Sequence, residues 1–326
     1  MSTLLIDVSS SIRSRASLLR WWVSFRRILY DSFPVCFVFF LLFLLSSAMT
    51  HWTSSGISKA YSAFRPTYPN QLYTEVLQHV PVGQRRRLVD IGCGTGQVFQ
   101  GIGSHFTHCV GIDPSQSQVD AATPFNNATY LVGSAEEFKI PDTVPNGPWE
   151  GNVDLVTVAQ AMHWFDMPKF LKRMDSLLAP GGIFTCWLYD SVRILNQKDC
   201  DEMWDFLDKL MLRSRYWPNG RKHIDDHYAK LAPMVATAFD PVCKKVFAPT
   251  IETNVEQFIN YMGTMSGVNK YKSASGHATV LEDYSRNMTE FCGAASPAEA
   301  KLMTRHNFVL FVFKKPEVGS APKSKL

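Results

Sequence analysis

An apolar strand that runs directly into three glycines within five positions limits what this chain can fold into. The stretch is Leu88-Val89-Asp90-Ile91-Gly92-Cys93-Gly94-Thr95-Gly96-Gln97. A buried strand, a tight glycine turn and a following helix bring backbone N–H groups against a small ligand at a helix N-terminus, as in open parallel α/β sheets. The rest of the first half repeats that rhythm. Short apolar runs at Cys109 to Ile112, Tyr130 to Val132 and Asp154 to Ala159 alternate with helical stretches near 97 to 105, 115 to 123 and 167 to 178. Alternation of this kind implies a parallel sheet covered on both faces.

Beyond Ala179-Pro180-Gly181-Gly182, which stops a helix, Ile183 to Leu188 makes a fifth strand. Residues 242 to 248 and Phe308 to Phe313 make a sixth and a seventh, and a helix is expected over 254 to 262. Residues 199 to 213 carry Met203, Phe206, Leu207, Leu210 and Met211 at helical spacing, the pattern of a face packed on the core. Ahead of the first strand, Tyr61-Ser62-Ala63-Phe64-Arg65-Pro66-Thr67-Tyr68-Pro69 reads as an aromatic loop entering a helix from about Asn70 to Val80. The fold class is therefore α/β, a three-layer Rossmann-like sheet, with its domain over residues 51–316 and a disordered tail at 317–326.

Residues 1–48 differ in kind. Arg13, Arg15, Arg20, Arg26 and Arg27 against Asp7 and Asp31 put +3 of the chain's +4 net charge there, and Phe33 to Leu45 holds no charge. The stretch 33–49 is at the short limit for a membrane helix. It reads as an anchor, as a cleaved targeting peptide ending at Ala48, or as an extension upstream of a start at Met49. The expectation is a cytoplasmic catalytic domain, with 33–49 as a candidate anchor. Once the extension is set aside the chain is nearly neutral, which gives no nucleic-acid footprint. Seven cysteines without a CxxC or Cys/His cluster in sequence point to reduced thiols and no structural zinc.

What the glycine loop holds depends on its neighbours. A dinucleotide loop needs a third glycine where Gln97 stands, so that the helix packs closely and a pyrophosphate sits at its N-terminus. Asp90, two residues before the first glycine, would repel a pyrophosphate and suits an ammonium group. S-adenosylmethionine has an ammonium and a sulfonium and no phosphate. Asp113, in Gly111-Ile112-Asp113-Pro114-Ser115, lies where a carboxylate can accept both ribose hydroxyls. Ser115 and Gln118 fit a capping box, which leaves Asp113 free. Gly133-Ser134-Ala135-Glu136-Glu137-Phe138 follows the third strand, where a short polar side chain and an N–H can meet an adenine edge.

The runs VDIGCGTG, GIDPS, GSAEEF, DLVTVAQAMHWFD and LLAPGG, in this order, resemble the class I S-adenosylmethionine-dependent methyltransferases. YSAFRPTYP with AMHWFD is similar to the small-molecule branch that includes the trans-aconitate methyltransferases. The resemblance implies a seven-stranded sheet whose last strand is antiparallel. It also implies contacts from Asp90, Gly92 and Gly94 to the methionine end of the cofactor and from Asp113 to the ribose, with Cys93, Gly96 and Pro114 as further cofactor-binding candidates. Ala135 and Glu136 would lie near adenine, and Gln160 on the loop after strand four.

Methyl transfer from a sulfonium is an in-line displacement, so positioning and exclusion of water matter more than reactive side chains. Arg65, Tyr68 and His163 are the candidate catalytic residues, with Trp164, Trp187 and Tyr189 lining the acceptor pocket. His163 is either a general base for a phenol, enol or amine, or a packed structural histidine. A carboxylate acceptor needs no base, only a cation such as Arg65 to hold it. The expected activity is O-methylation of a carboxylate on a small molecule. The alternatives are a phenol, amine or protein acceptor, or a membrane-tethered cofactor-binding protein without turnover. Nothing in the sequence speaks to oligomeric state.

Overall fold

The computed structural model describes residues 65–195 and 216–317, apart from 275 and 277. The N-terminal extension, the helix expected over 199 to 213 and the last nine residues lie outside the described residues. Among the described residues no helix is long and apolar enough to cross a membrane. The apolar stretch 33–49 lies outside them too.

The chain enters through α1 (Asn70–Gln78) and alternates β1 (Arg87–Ile91), α2 (Gln97–Ile102), β2 (His108–Asp113), α3 (Gln116–Asp120), β3 (Ala128–Val132), β4 (Val153–Ala159), α4 (Met167–Leu177) and β5 (Leu178–Tyr189). After the short β6 (Arg193–Ile194) come α5 (Arg221–Asp225), α6 (Ala232–Val235), β7 (Asp240–Phe247), β8 (Thr250–Asn254), α7 (Val255–Gly263), α8 (Ser266–Lys272), α9 (Val280–Phe291), β9 (Lys301–Arg305) and β10 (Phe308–Lys314). The main sheet runs β3-β2-β1-β4-β5-β10-β7. Neighbours from β3 to β5 pair in parallel, and β10 is antiparallel to both β5 and β7. The order reverses between β1 and β4, so the carboxyl ends of these two strands open the crevice in which such sheets bind ligands.

Alternation along β10 divides the core. Val309, Phe311 and Phe313 join the cluster that contains α4, while Phe308, Leu310 and Val312 join the cluster under α1 and α2. Both faces are therefore apolar, which is why the strand reads in sequence as an unbroken hydrophobic run. In α4 the buried residues Met167, Phe170, Met174 and Leu177 recur every three or four positions, and Asp166 caps the helix by accepting the Lys169 N–H. Asn254 does the same for α7, accepting from Gln257 N at 2.9 Å.

Two features have no counterpart in the expected fold. A second antiparallel sheet, β6-β9-β8, covers a separate apolar cluster with α7 and α9. Strand β5 also begins at Leu178, earlier than expected: Leu178 pairs with Val153, and the register against β4 becomes irregular across the Ala179–Gly182 stretch, where Gly181 takes φ +74°.

Candidate functional site

The glycine loop turns its N–H groups inward. Gly92 N and Cys93 N both donate to Ile112 O, at 2.8 and 3.0 Å, and Gly96 N donates to Cys93 O at 2.9 Å. Gly94 N donates to Asp113 Oδ2 at 2.9 Å. An anion cradle needs such groups unspent and aimed at the ligand, so this loop is poorly made for a pyrophosphate. Two positions require glycine. At Gly92 (φ +71°) a Cβ would fall 2.5 Å from the Ala161 Cβ, and at Gly96 (φ +85°), the N-cap of α2, it would fall 2.2 Å from the Tyr130 hydroxyl oxygen.

Asp113 is not free, contrary to the capping-box expectation. Its Oδ1 accepts Ser115 N at 2.9 Å while Oδ2 holds Gly94 N, and the Ser115 side chain makes no cap bond to α3. The carboxylate thus fastens the glycine loop to the end of β2, with each oxygen taking one backbone N–H. Burial raises its pKa, partly offset by the two backbone N–H donors.

Asp90 sits one strand over, only 1% exposed. Oδ1 accepts the Thr157 hydroxyl at 2.7 Å, and Oδ2 is buried without a hydrogen-bond partner. Burial, and then the nearby Asp113 carboxylate, push its pKa up to about 7, against the lowering effect of Thr157. A buried carboxylate oxygen lacking a donor is costly. The methionine end of S-adenosylmethionine carries an ammonium that would meet this need, so this donor set fits that cofactor.

The segment after β4 joins the loop to a cleft. Gln160 takes a left-handed conformation (φ +54°). Its side-chain amide pairs with the Tyr189 backbone, accepting Tyr189 N at 2.9 Å and donating to Tyr189 O at 3.2 Å. Ala161 and Phe165 then lie against Gly92. Gln160, His163 and Trp164 line the cleft together with Arg65, Tyr189 and Arg221. One loop therefore touches the glycine turn on one side and the cleft on the other.

Two guanidinium groups face that cleft. Arg65 donates to the Tyr189 hydroxyl at 2.9 Å and to Thr264 O at 3.2 Å, both neutral oxygens. Arg221 is paired with Asp225 at 2.7 Å and lies 4.6 Å over the Trp217 ring. His163 Nδ1 is 3.1 Å from the Tyr228 hydroxyl, and its ring centroid is 4.9 Å from that of Trp164. Burial first, then the charges of Arg221 and His223, push its pKa down to about 3. The imidazole is neutral at physiological pH, and a group of that pKa is a feeble base.

Other residues singled out from sequence lie elsewhere. Trp187 is fully buried in the α1-side cluster and does not line the cleft, because it shares a face with Tyr189 but stands two residues deeper in the strand, away from its carboxyl end. Tyr68 packs edge-on against it at 5.3 Å. Cys93 is buried under the loop, its Sγ 3.6 Å from Gly94 O. Ala135 is buried, Pro114 is exposed, and the Glu136 carboxylate accepts Asp166 N at 2.9 Å. Gln97, notable in sequence as a departure from the dinucleotide pattern, donates to Pro66 O at 3.1 Å and so fixes the aromatic entry loop. Arg221 escaped sequence reasoning, since it follows Pro218-Asn219-Gly220 in a region without a motif.

Comparison with known proteins agrees with this geometry. A family model described as a methyltransferase domain matches residues 89–184. A Dictyostelium discoideum protein named as a methyltransferase is 30% identical over 262 residues, covering 80% of this chain and 94% of that protein. A Saccharomyces cerevisiae protein named as an S-adenosylmethionine-dependent methyltransferase is 32% identical over 132 residues, covering 40% of this chain and 45% of that one. Among solved structures, a protein described as a type II methyltransferase from Anaeromyxobacter dehalogenans matches with a TM-score of 0.64 at 26% identity, covering 78% of this chain and 99% of that one.

Proposed function

This chain belongs to the class I S-adenosylmethionine-dependent methyltransferases, and we propose that it methylates a carboxylate oxygen of a small-molecule acceptor. The observation that carries the proposal is the pair of guanidiniums, Arg65 and Arg221, facing one cleft whose wall, residues 160–165, also abuts the glycine turn. Arginine matches a carboxylate in charge and geometry. The reading places the chain in the small-molecule branch that the trans-aconitate methyltransferases typify.

When bound, S-adenosylmethionine supplies a methyl group on a sulfonium. In this proposal Asp90 Oδ2 receives its ammonium, with the turn at Gly92, Cys93, Gly94 and Gly96 beside the methionine end. Asp113 and Pro114 stand at the ribose, and Ala135 and Glu136 near adenine. Gln160 sets the path of the 160–165 loop by its two bonds to Tyr189. Arg65 and Arg221 orient the acceptor, and Trp164 and Tyr189 help exclude water from the approach. His163 fits a positioning role. An ionised carboxylate needs no base, whereas a phenol or amine does, and a histidine depressed to about 3 is a poor one.

The test is methyl transfer from labelled S-adenosylmethionine to panels of small carboxylic acids, phenols and amines. The expected product is a base-labile methyl ester, and Arg65→Leu and Arg221→Leu should each raise KM for the acid. Transfer to phenols or amines with none to acids overturns the assignment.

A further inference from the structure

Away from the cleft, three side chains of different donor type converge where α1 meets the edge strand β7. Glu75 on α1 and His79 at its C-cap stand four residues apart and face the same side, and Cys243 comes from β7. Against the sequence expectation of no structural zinc, which saw no cluster because Cys243 lies 164 or more positions from the other two residues, we propose that Glu75, His79 and Cys243 bind one thiophilic divalent cation, zinc by its donor chemistry, which ties the edge strand to the helix.

The geometry rests on one atom from each residue. Glu75 Oε1 is 3.1 Å from His79 Nε2 and 3.9 Å from Cys243 Sγ, and Sγ is 3.6 Å from Nε2. Zinc bonds of about 2.0–2.3 Å in a tetrahedron separate their donor atoms by roughly 3.3–3.8 Å. The triangle is therefore within a few tenths of an ångström of a zinc face before any cation arrives. Glu75 is buried, while His79 and Cys243 are half-buried, so a fourth position is open to water. Sulfur, imidazole and a single carboxylate oxygen select zinc over magnesium or calcium, which take all-oxygen shells.

Lys245 occupies the other carboxylate oxygen, Oε2. It thereby leaves Oε1 turned toward the histidine and the thiol. Binding converts the Cys243 thiol to a thiolate and releases its proton to solvent, with Glu75 Oε1 and His79 Nε2 each giving a lone pair. Affinity should accordingly rise with pH. The site is separate from the methyl-transfer cleft, and α1 follows directly from the Arg65–Pro69 segment that enters it.

The experiment uses the full chain, stripped with a chelator and titrated with cobalt(II), then zinc. One equivalent of cobalt giving a thiolate charge-transfer band, displaced by zinc, is the expected result. Cys243→Ser should abolish the band. His79→Gln should weaken cobalt binding by more than the roughly 10–100-fold that a lost outer-shell contact costs. Cys292→Ser, a control, should leave it unchanged. Independently of any variant, zinc should protect Cys243 of the unaltered chain from alkylation, mapped by mass spectrometry. A band that persists in Cys243→Ser, no band in the unaltered chain, or Cys243 alkylated equally with and without zinc overturns the proposal.

Discussion

Gly94 N–H and Asp113 Oδ2 are joined at 2.9 Å across nineteen residues of sequence, while Oδ1 of the same carboxylate takes Ser115 N–H at 2.9 Å. Asp113 thus builds the site before it binds anything. Asp113→Ala leaves two backbone donors without their acceptor, at about 1–3 kcal/mol each if water does not replace it. The expected outcome is a chain destabilised by about 2–4 kcal/mol in denaturant melts, with cofactor affinity lowered further by calorimetry. Asp113→Asn, which keeps one acceptor oxygen, should lose about half as much. Unchanged stability in Asp113→Ala would mean that the loop holds its shape without the carboxylate.

Asp90 carries a pH dependence whose sign can be worked out. Its pKa rises from an ordinary carboxylate value to about 7 in the folded chain without cofactor, so between these values the folded state binds the extra proton. Stability from this group is therefore present at low pH and lost as pH rises through about 7. A cationic ligand reverses the preference, because it favours the ionised carboxylate. Melting temperature without cofactor should fall from pH 5 to pH 8, and the increment given by S-adenosylhomocysteine should grow over the same range. Asp90→Asn should flatten both trends. Scanning fluorimetry across pH, with and without that ligand, checks this.

The sheet and the cofactor loop could be read from the sequence because both are local. Strands such as Phe308 to Lys314, apolar on both faces, announce themselves, and the glycines and two aspartates lie within 24 residues of one another. The cleft could not be read in the same way. Its two arginines are separated in sequence by β1 to β6, and Arg221 is placed by contacts with Trp217, Ser191 and Asp225 rather than by a pattern. The inward turn of the loop N–H groups and the engagement of Asp113 were hidden for a related reason. Residue types reveal which groups are present, and only the register between β1 and β2 decides which of them are already satisfied.

His163 offers a direct test of whether a base is needed. A general base contributes about 10²–10⁴-fold. With its pKa depressed to about 3 by burial, Arg221 and His223, the imidazole has little proton affinity to offer. His163→Asn should therefore lower kcat by less than about tenfold, and the pH profile of kcat should show no limb that disappears in the variant. KM should change more than kcat, since Trp164 loses the ring packed at a tilt beside it. A loss of about 10³ in kcat, with a titration removed from the profile, would restore the phenol or amine reading of the acceptor.

Gly92 and Ala161 couple the cofactor turn to the loop that reaches the cleft. A Cβ on Gly92 meets the Ala161 Cβ at 2.5 Å, and the backbone there sits at φ +71°. Gly92→Ala combines a steric clash with a left-handed conformation that disfavours side chains by about 1 kcal/mol. The clash depends on the Ala161 methyl, and the conformational cost does not. Gly92→Ala should lose about 2–4 kcal/mol, Ala161→Gly about 1 kcal/mol, and the double variant less than the sum of the two by about 1–2 kcal/mol. Denaturant midpoints of the four chains measure that difference. Strict additivity would mean that the turn moves independently of residues 160–165, and the cleft would then lose the physical link through which cofactor and acceptor are aligned.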